Sequence, residues 1–158
     1  TPSSAASDVY KRQVNTPTQY ASVEAYAFEY ENYKLKVRAI LKAVGNYVYN
    51  NLKSNNILIA PPQGAFYLMP EFKIKKYKTS SKLCEAILKD TGVAMLPGSD
   101  FGFSPRKMLT RLSYTDFDGA EFFKKVTNCS MIDDEMIKKY APNVVEGVNK
   151  LSNWAKNL

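Results

Sequence analysis

Arg111 is the residue in this chain whose type and placement most directly suggest chemistry. It lies in "MLTRLSY", residues 108–114, where apolar side chains alternate on both sides of a predicted strand and one side carries an arginine between Leu109 and Ser113. A guanidinium keeps its charge at physiological pH, so a half-buried one needs an anionic partner or a route to water along its own stem. The strand is therefore either a sheet edge or a presenter of Arg111 to a carboxylate or phosphate.

Other groups offer less. The chain contains no histidine and only two cysteines, Cys84 and Cys129. Zinc sites, Ser/His and Cys/His nucleophilic pairs and imidazole acid–base chemistry thereby lose their usual residues. Both cysteines read as buried apolar thiols of a reducing compartment. Asp116 and Asp118 in "TDFDG" have the glycine too early for a calcium loop and read as a helix cap, while Asp133, Asp134 and Glu135 read as first-turn acids favoured by a helix dipole. "KIKKYK", residues 73–78, places four lysines in six residues. Without interleaved arginines it reads as the guard of a strand end, and no nucleic-acid partner is expected despite the formal charge of +7.

The elements that must hold Arg111 follow from periodicity and punctuation. A length of 158 residues, 45% of them hydrophobic, suffices for one core and not comfortably for two. No apolar run is long enough to span a membrane and no basic start precedes an apolar block, so a cytoplasmic chain without a secretory signal is expected. The absence of an initial Met also suggests a piece of something longer. "NTPTQ" at 15–19 marks a helix start, with Thr16 as cap and Pro17 in the first turn. Apolar spacing then continues from Val23 to about Leu52, which predicts one very long helix, unbroken or bent near Gly45.

After "PPQG", the segment "AFYLMPEFKI", broken by Pro70, predicts a strand with an irregularity or an exposed edge. "SSKLCEAILKDTG" predicts a helix capped by Ser80 or Ser81 and ended by Gly92. "VAMLP" predicts a short strand, "GSDFGFSP" a loop, and 107–114 the strand with Arg111. Helices are expected from Asp116 or Asp118 to about Val126, from near Asp133, and from beyond Pro142, with Val144, Val148, Leu151 and Trp154 on one face.

Taken in order, "PPQGAFYLMPEF", "LCEAILKDTGVAMLPGSDFG" and "LTRLSYTDFDGAEFF" resemble the C-terminal part of pyridoxal phosphate-dependent aminotransferases of fold type I, class I/II. The family turn "G-V-A-x-x-P-G-x-x-F-G" is matched by Gly92, Val93, Ala94, Pro97, Gly98, Phe101 and Gly102, and its "R-x-S" strand by Arg111 and Ser113. The likeness spans about residues 16–128. It implies an α/β fold, namely the small-domain α/β sandwich of a fold type I enzyme preceded by a long interdomain helix. The expected organisation is 1–15 as a lead-in or remnant of the large domain, 16–55 as the interdomain helix and 56–158 as the small domain.

The resemblance also gives Arg111 a partner, the α-carboxylate of an amino-acid substrate, and places Phe101 near that substrate. It implies transfer of an amino group between an amino acid and a 2-oxo acid through pyridoxal phosphate, in a parent protein that has a large domain and forms a homodimer. "RLSYTDFDG" looks most like the aspartate and aromatic aminotransferases. "TSSK", residues 79–82, imitates the family's lysine motif, but the position eight residues after Lys82 is Asp90 and not the phosphate-holding arginine. Lys82 is therefore read as a solvated helix residue, the catalytic lysine as lying outside these residues, and the piece alone as inactive and without specific affinity for the cofactor. Two rival readings stay open: a carboxylate-binding module without chemistry, and a basic interaction protein that uses the "KIKKYK" surface.

Overall fold

The computed structural model describes residues 14–127 and 131–157. Cys129 lies outside them. By its internal contacts the chain divides into two units, residues 1–33 and 34–158.

The first unit contains helix α1 (Thr16–Ala27), none of whose residues is buried. Asn15, not Thr16, caps it: the Asn15 carboxamide oxygen accepts from the Thr18 amide at 3.0 Å and from the Thr18 hydroxyl at 2.6 Å. Its apolar side chains Tyr20, Val23 and Tyr26 are exposed, as is Phe28 just past its end. The single helix expected over 16–55 is in fact two, because the backbone turns extended at Phe28 (ψ 134°) and α2 starts afresh at Glu31 and runs to Leu52. Aromatic contacts accompany the break. The Phe28 and Tyr30 rings meet at 4.8 Å, a contact that residues two apart on a helix cannot make, and Tyr30 meets Tyr33 at 6.5 Å. Gly45, the expected bend, lies inside uninterrupted helix.

The second unit is α/β. Five short strands follow α2: β1 (Ile57–Leu58), β2 (Tyr67–Leu68), β3 (Glu71–Phe72), β4 (Leu96–Pro97) and β5 (Thr110–Ser113). Helix α3 (Ser80–Thr91) lies between β3 and β4, and α4 (Gly119–Lys125), α5 (Asp134–Tyr140) and α6 (Pro142–Lys156) follow β5. All strand pairs are antiparallel, with β5 between β2 and β4 and with β1 beside β3. Strand β1 was not anticipated; its signal is the apolar run Ile57–Ala60.

The irregularity expected at Pro70 is present: the strand is interrupted at residues 69–70 and resumes as β3, and β2 is an outer strand of its sheet. Tyr67 pairs with Ser113, Leu68 with Leu112 and Glu71 with Leu109, one register on both sides of the proline. Proline brings only a carbonyl, and Thr110 uses it twice, through its amide at 3.0 Å and its hydroxyl at 3.1 Å. The helix ends follow side-chain chemistry. Thr79 caps α3 in place of the expected Ser80 or Ser81, Gly92 closes it at φ +75°, and Asp118 and Asp133 cap α4 and α5. Pro142 opens α6.

The alternation of strand 108–114 sets the two faces. Met108, Thr110, Leu112 and Tyr114 are buried in the core with Val44 and Val48 of α2, Leu83 and Ile87 of α3, Phe122 of α4, and Val148 and Leu151 of α6. The lysines of "KIKKYK" are exposed, whereas its Ile74 and Tyr77 pack on the core, and Tyr77 stacks at 6.3 Å on Trp154, whose indole donates to Asp90 at 2.9 Å.

Candidate functional site

Arg111 lies on the other, less covered face of β5, half-buried. The pairing register places Leu96 of β4 on one side of it and Met69 on the other, with Tyr67 one position along opposite Ser113. Tyr67, Leu96 and Phe101 are 38–43% exposed, so the surface around the guanidinium is apolar and open.

A short 3₁₀ turn, Gly98–Phe101, delivers Phe101 to this face. It is held from three directions. The Gly98 amide donates to the Leu109 carbonyl of the Arg111 strand at 2.8 Å, and a β carbon on Gly98 would stand only 2.8 Å from that same oxygen. Gly102 closes the turn at φ +81°, its amide donating to the Ser99 carbonyl. Ser80 at the start of α3 meets the Ser99 hydroxyl at 3.5 Å. The glycines of the motif thus serve close approach and positive φ, and their product is a fixed Phe101.

The Arg111 guanidinium carbon lies 4.4 Å from the Phe101 ring centre and 5.3 Å from that of Tyr67, both within cation–π range. None of the ion pairs among the described residues involves Arg111. Among the described residues the partners offered to the guanidinium are therefore aromatic. Sequence reasoning missed Tyr67; its signal was period-two alternation, which puts it on the same face as Met69 and opposite Ser113.

The remaining candidates are accounted for by local structure. Lys82 stands in the first turn of α3 with its ammonium 2.7 Å from Glu85, both side chains well exposed. Asp118 caps α4 by accepting from the Glu121 amide at 2.9 Å, Asp116 accepts from the Asn143 carboxamide at 3.4 Å, and Asp133 accepts from the Met136 amide at 2.9 Å. Cys84 is buried, and burial, with a smaller contribution from the Asp100 charge, pushes its thiol up to about 11, so it is a poor nucleophile near neutrality. A separate groove of about 580 Å³ between α2 and residues 62–66 is lined by Arg38, Lys42, Gln63 and Tyr114, among others, and does not include Arg111.

A seat for a phosphorylated carbonyl cofactor needs a lysine and donors for the phosphate, and the strand pairing and ring contacts place Met69, Leu96, Tyr67, Phe101 and Ser113 beside Arg111. They are aromatic or aliphatic apart from Ser113, and no lysine is among them. These neighbours do not by themselves fit such a group.

Comparison with known proteins agrees with the motif order. Among curated relatives, the probable N-acetyl-LL-diaminopimelate aminotransferase of Bacillus subtilis (strain 168) is 38% identical over 85 residues, covering 53% of this chain and 21% of that protein. The aspartate aminotransferase of Thermotoga maritima is 34% identical over 88 residues, covering 56% and 21%. That of Geobacillus stearothermophilus is 32% identical over 126 residues, covering 74% and 31%. Among solved structures, the alanine aminotransferase from Pyrococcus furiosus shares the fold with a TM-score of 0.63 at 21% identity, over 91% of this chain and 30% of that one. The Thermotoga maritima aspartate aminotransferase superposes with a TM-score of 0.58 at 24% identity, over 90% and 29%. The chain spans 21% to 31% of the length of these relatives. The sequence profile described as Aminotransferase class I and II matches residues 4–122, and the chain belongs to that family.

Proposed function

We propose that this chain supplies the carboxylate-binding element of a pyridoxal phosphate-dependent transaminase, with Arg111 as the residue that takes the α-carboxylate of the amino-acid or 2-oxo-acid substrate. The observation that carries the reading is the state of Arg111. It is charged, held on an open face by two aromatic rings, and not engaged by any carboxylate among the described residues. A guanidinium can grip both oxygens of a carboxylate at once, which fixes the rotation of the substrate about its own axis. That control matters for transamination, where the bond to be broken at Cα must be presented in one direction. Phe101 lies beside the same carboxylate in this reading.

Because the neighbours of Arg111 do not fit the cofactor, the lysine and the phosphate-binding groups belong in this proposal to sequence outside these residues. The 158-residue chain alone is then inactive, and residues 16–55 connect it to a large domain in a homodimer. Family membership supports the reaction class. The relatives are named for different substrates, so the narrower aspartate or aromatic specificity rests on the likeness of "RLSYTDFDG" alone.

The test is Arg111→Lys and Arg111→Ala in the full-length protein that carries this chain. Loss of a desolvated, charge-assisted bidentate contact costs about 2 to 5 kcal/mol, or roughly 30-fold to several-thousand-fold in kcat/KM. The loss should be seen with every amino-acid substrate, since all share the α-carboxylate. A normal kcat/KM in Arg111→Ala refutes the assignment. Carboxylate binding that depends on Arg111 in a protein with no transaminase activity would instead identify a binding module without chemistry.

A further inference from the structure

We infer that Tyr67 and Phe101 are positioning residues that clamp the Arg111 guanidinium from the two sides of β5, leaving its edge as the surface offered to a planar carboxylate. The inference rests on the proposed role of Arg111 and goes beyond it by assigning the orientation of the fork to two aromatic side chains.

The topology makes the clamp. Strand β5 is the middle strand of three, and each of its neighbours brings one ring: Tyr67 from β2, and Phe101 from the 3₁₀ turn that continues β4. Their ring centres lie 5.3 and 4.4 Å from the guanidinium carbon, and both rings stay more than a third exposed, so neither is explained as core filling. An arginine side chain has four rotatable bonds and would otherwise sweep the open face. Stacking on a ring orients the guanidinium plane, and a pre-oriented fork loses less freedom when it takes up a carboxylate. The turn that holds Phe101 is itself tied to the Arg111 strand through the hydrogen bond from Gly98 to Leu109, so ring and arginine are built on one hydrogen-bonded unit. An ammonium has no plane to orient, and the clamp is therefore specific to arginine.

The test measures dissociation constants by calorimetry on the full-length protein, with succinate and 3-phenylpropionate as probes. Phe101→Leu and Tyr67→Leu should each weaken binding about 2- to 5-fold, the range expected for a partly exposed cation–π contact, with the melting temperature little changed. Phe101→Tyr and Tyr67→Phe, which keep a ring, should bind as the unaltered protein does. In an Arg111→Lys background the leucine substitutions should have less than half their effect. If they keep their full effect there, the rings act on the ligand directly and the clamp is wrong. If they have no effect on either probe while Arg111→Ala abolishes binding, the carboxylate assignment stands and the clamp falls. If Arg111→Ala binds normally, or the unaltered protein binds neither probe, both fall.

Discussion

The hydroxyl of Tyr114 lies 2.9 Å from the point where a β carbon on Gly45 would stand, and it donates to the carbonyl of Ala65 at 3.0 Å. Glycine in mid-helix ordinarily costs up to about 1 kcal/mol relative to alanine. Here it lets the end of the Arg111 strand dock against α2, where Pro62 also approaches to 3.4 Å. Tyr114 cannot swing aside without losing its hydrogen bond to Ala65, which itself sits at φ +60°.

Gly45→Ala should therefore destabilise the chain by roughly 1 to 2 kcal/mol despite the gain in helix propensity, because overpacking a fitted contact costs about 1 to 3 kcal/mol. In a Tyr114→Phe background the closest clash is gone and the same substitution should cost less, with a coupling of at least about 0.5 kcal/mol. Urea unfolding of the four proteins measures this. Equal stabilisation by alanine in both backgrounds would show that the contact has no energetic weight.

Gly98→Ala should be the more damaging glycine substitution. Its β carbon would meet a backbone oxygen, that of Leu109 at 2.8 Å, and not the end of a side chain. The turn must then leave β5 and lose the hydrogen bond it makes there, for roughly 2 to 3 kcal/mol in all. Phe101 should move with it, so the amide resonances of residues near Arg111 should shift as well. A variant as stable as the parent with unshifted resonances would contradict the role given to this turn.

Lys82 should behave as a surface lysine. Its exposed ammonium is already paired with Glu85, a contact of the kind worth at most about 1 kcal/mol. Incubation of the 158-residue chain with pyridoxal phosphate followed by borohydride reduction should label several lysines weakly and none stoichiometrically. Peptide mapping that finds one equivalent on Lys82 would reverse the assignment.

How much of this could be read in the sequence depended on the range of the interaction. The positions of α3, α4, α5 and α6 were legible because caps and apolar stripes are local, and the only errors there were single-residue ones such as Thr79 for Ser80. Arg111 and Phe101 were singled out because a motif fixes their spacing, and the Arg111 guanidinium carbon lies 4.4 Å from the Phe101 ring centre. Tyr67 was not singled out, since its contact with Arg111 depends on a strand partner more than forty positions away. The break at Phe28 was also missed, because spacings of three and four continue across it. At Pro70 the rule that proline disturbs a strand held, since the strand is interrupted between β2 and β3, while Thr110 makes two bonds to the proline carbonyl and the register is kept across the gap.

Cys84 gives a signed pH prediction. Burial raises its thiol from an ordinary 9.0 to about 11, so above pH 9 the unfolded chain releases a proton that the folded chain retains. Stability from this group is therefore fully present below pH 9 and is lost as pH rises towards 11. Tyr114, raised from 10.0 by burial, acts in the same direction at higher pH. Urea unfolding at pH 8 and pH 10 should show a larger alkaline loss for the parent chain than for Cys84→Ala. Tyrosine and lysine titrations are common to both proteins and cancel in the difference. Equal losses would mean that the thiol ionises as readily folded as unfolded.

Arg111→Ala should leave the fold nearly intact. What the protein loses are two cation–π contacts at a partly exposed site, each worth about 0.5 to 1 kcal/mol, and no carboxylate among the described residues is left unpaired. Breaking a buried ion pair would instead cost about 3 to 5 kcal/mol. The two cases are far enough apart for urea unfolding to separate them. A loss below about 2 kcal/mol accords with an arginine whose ionic partner is a ligand. A loss of 3 kcal/mol or more would make Arg111 a structural residue, and the open face of β5 would then have no claim to be a binding site.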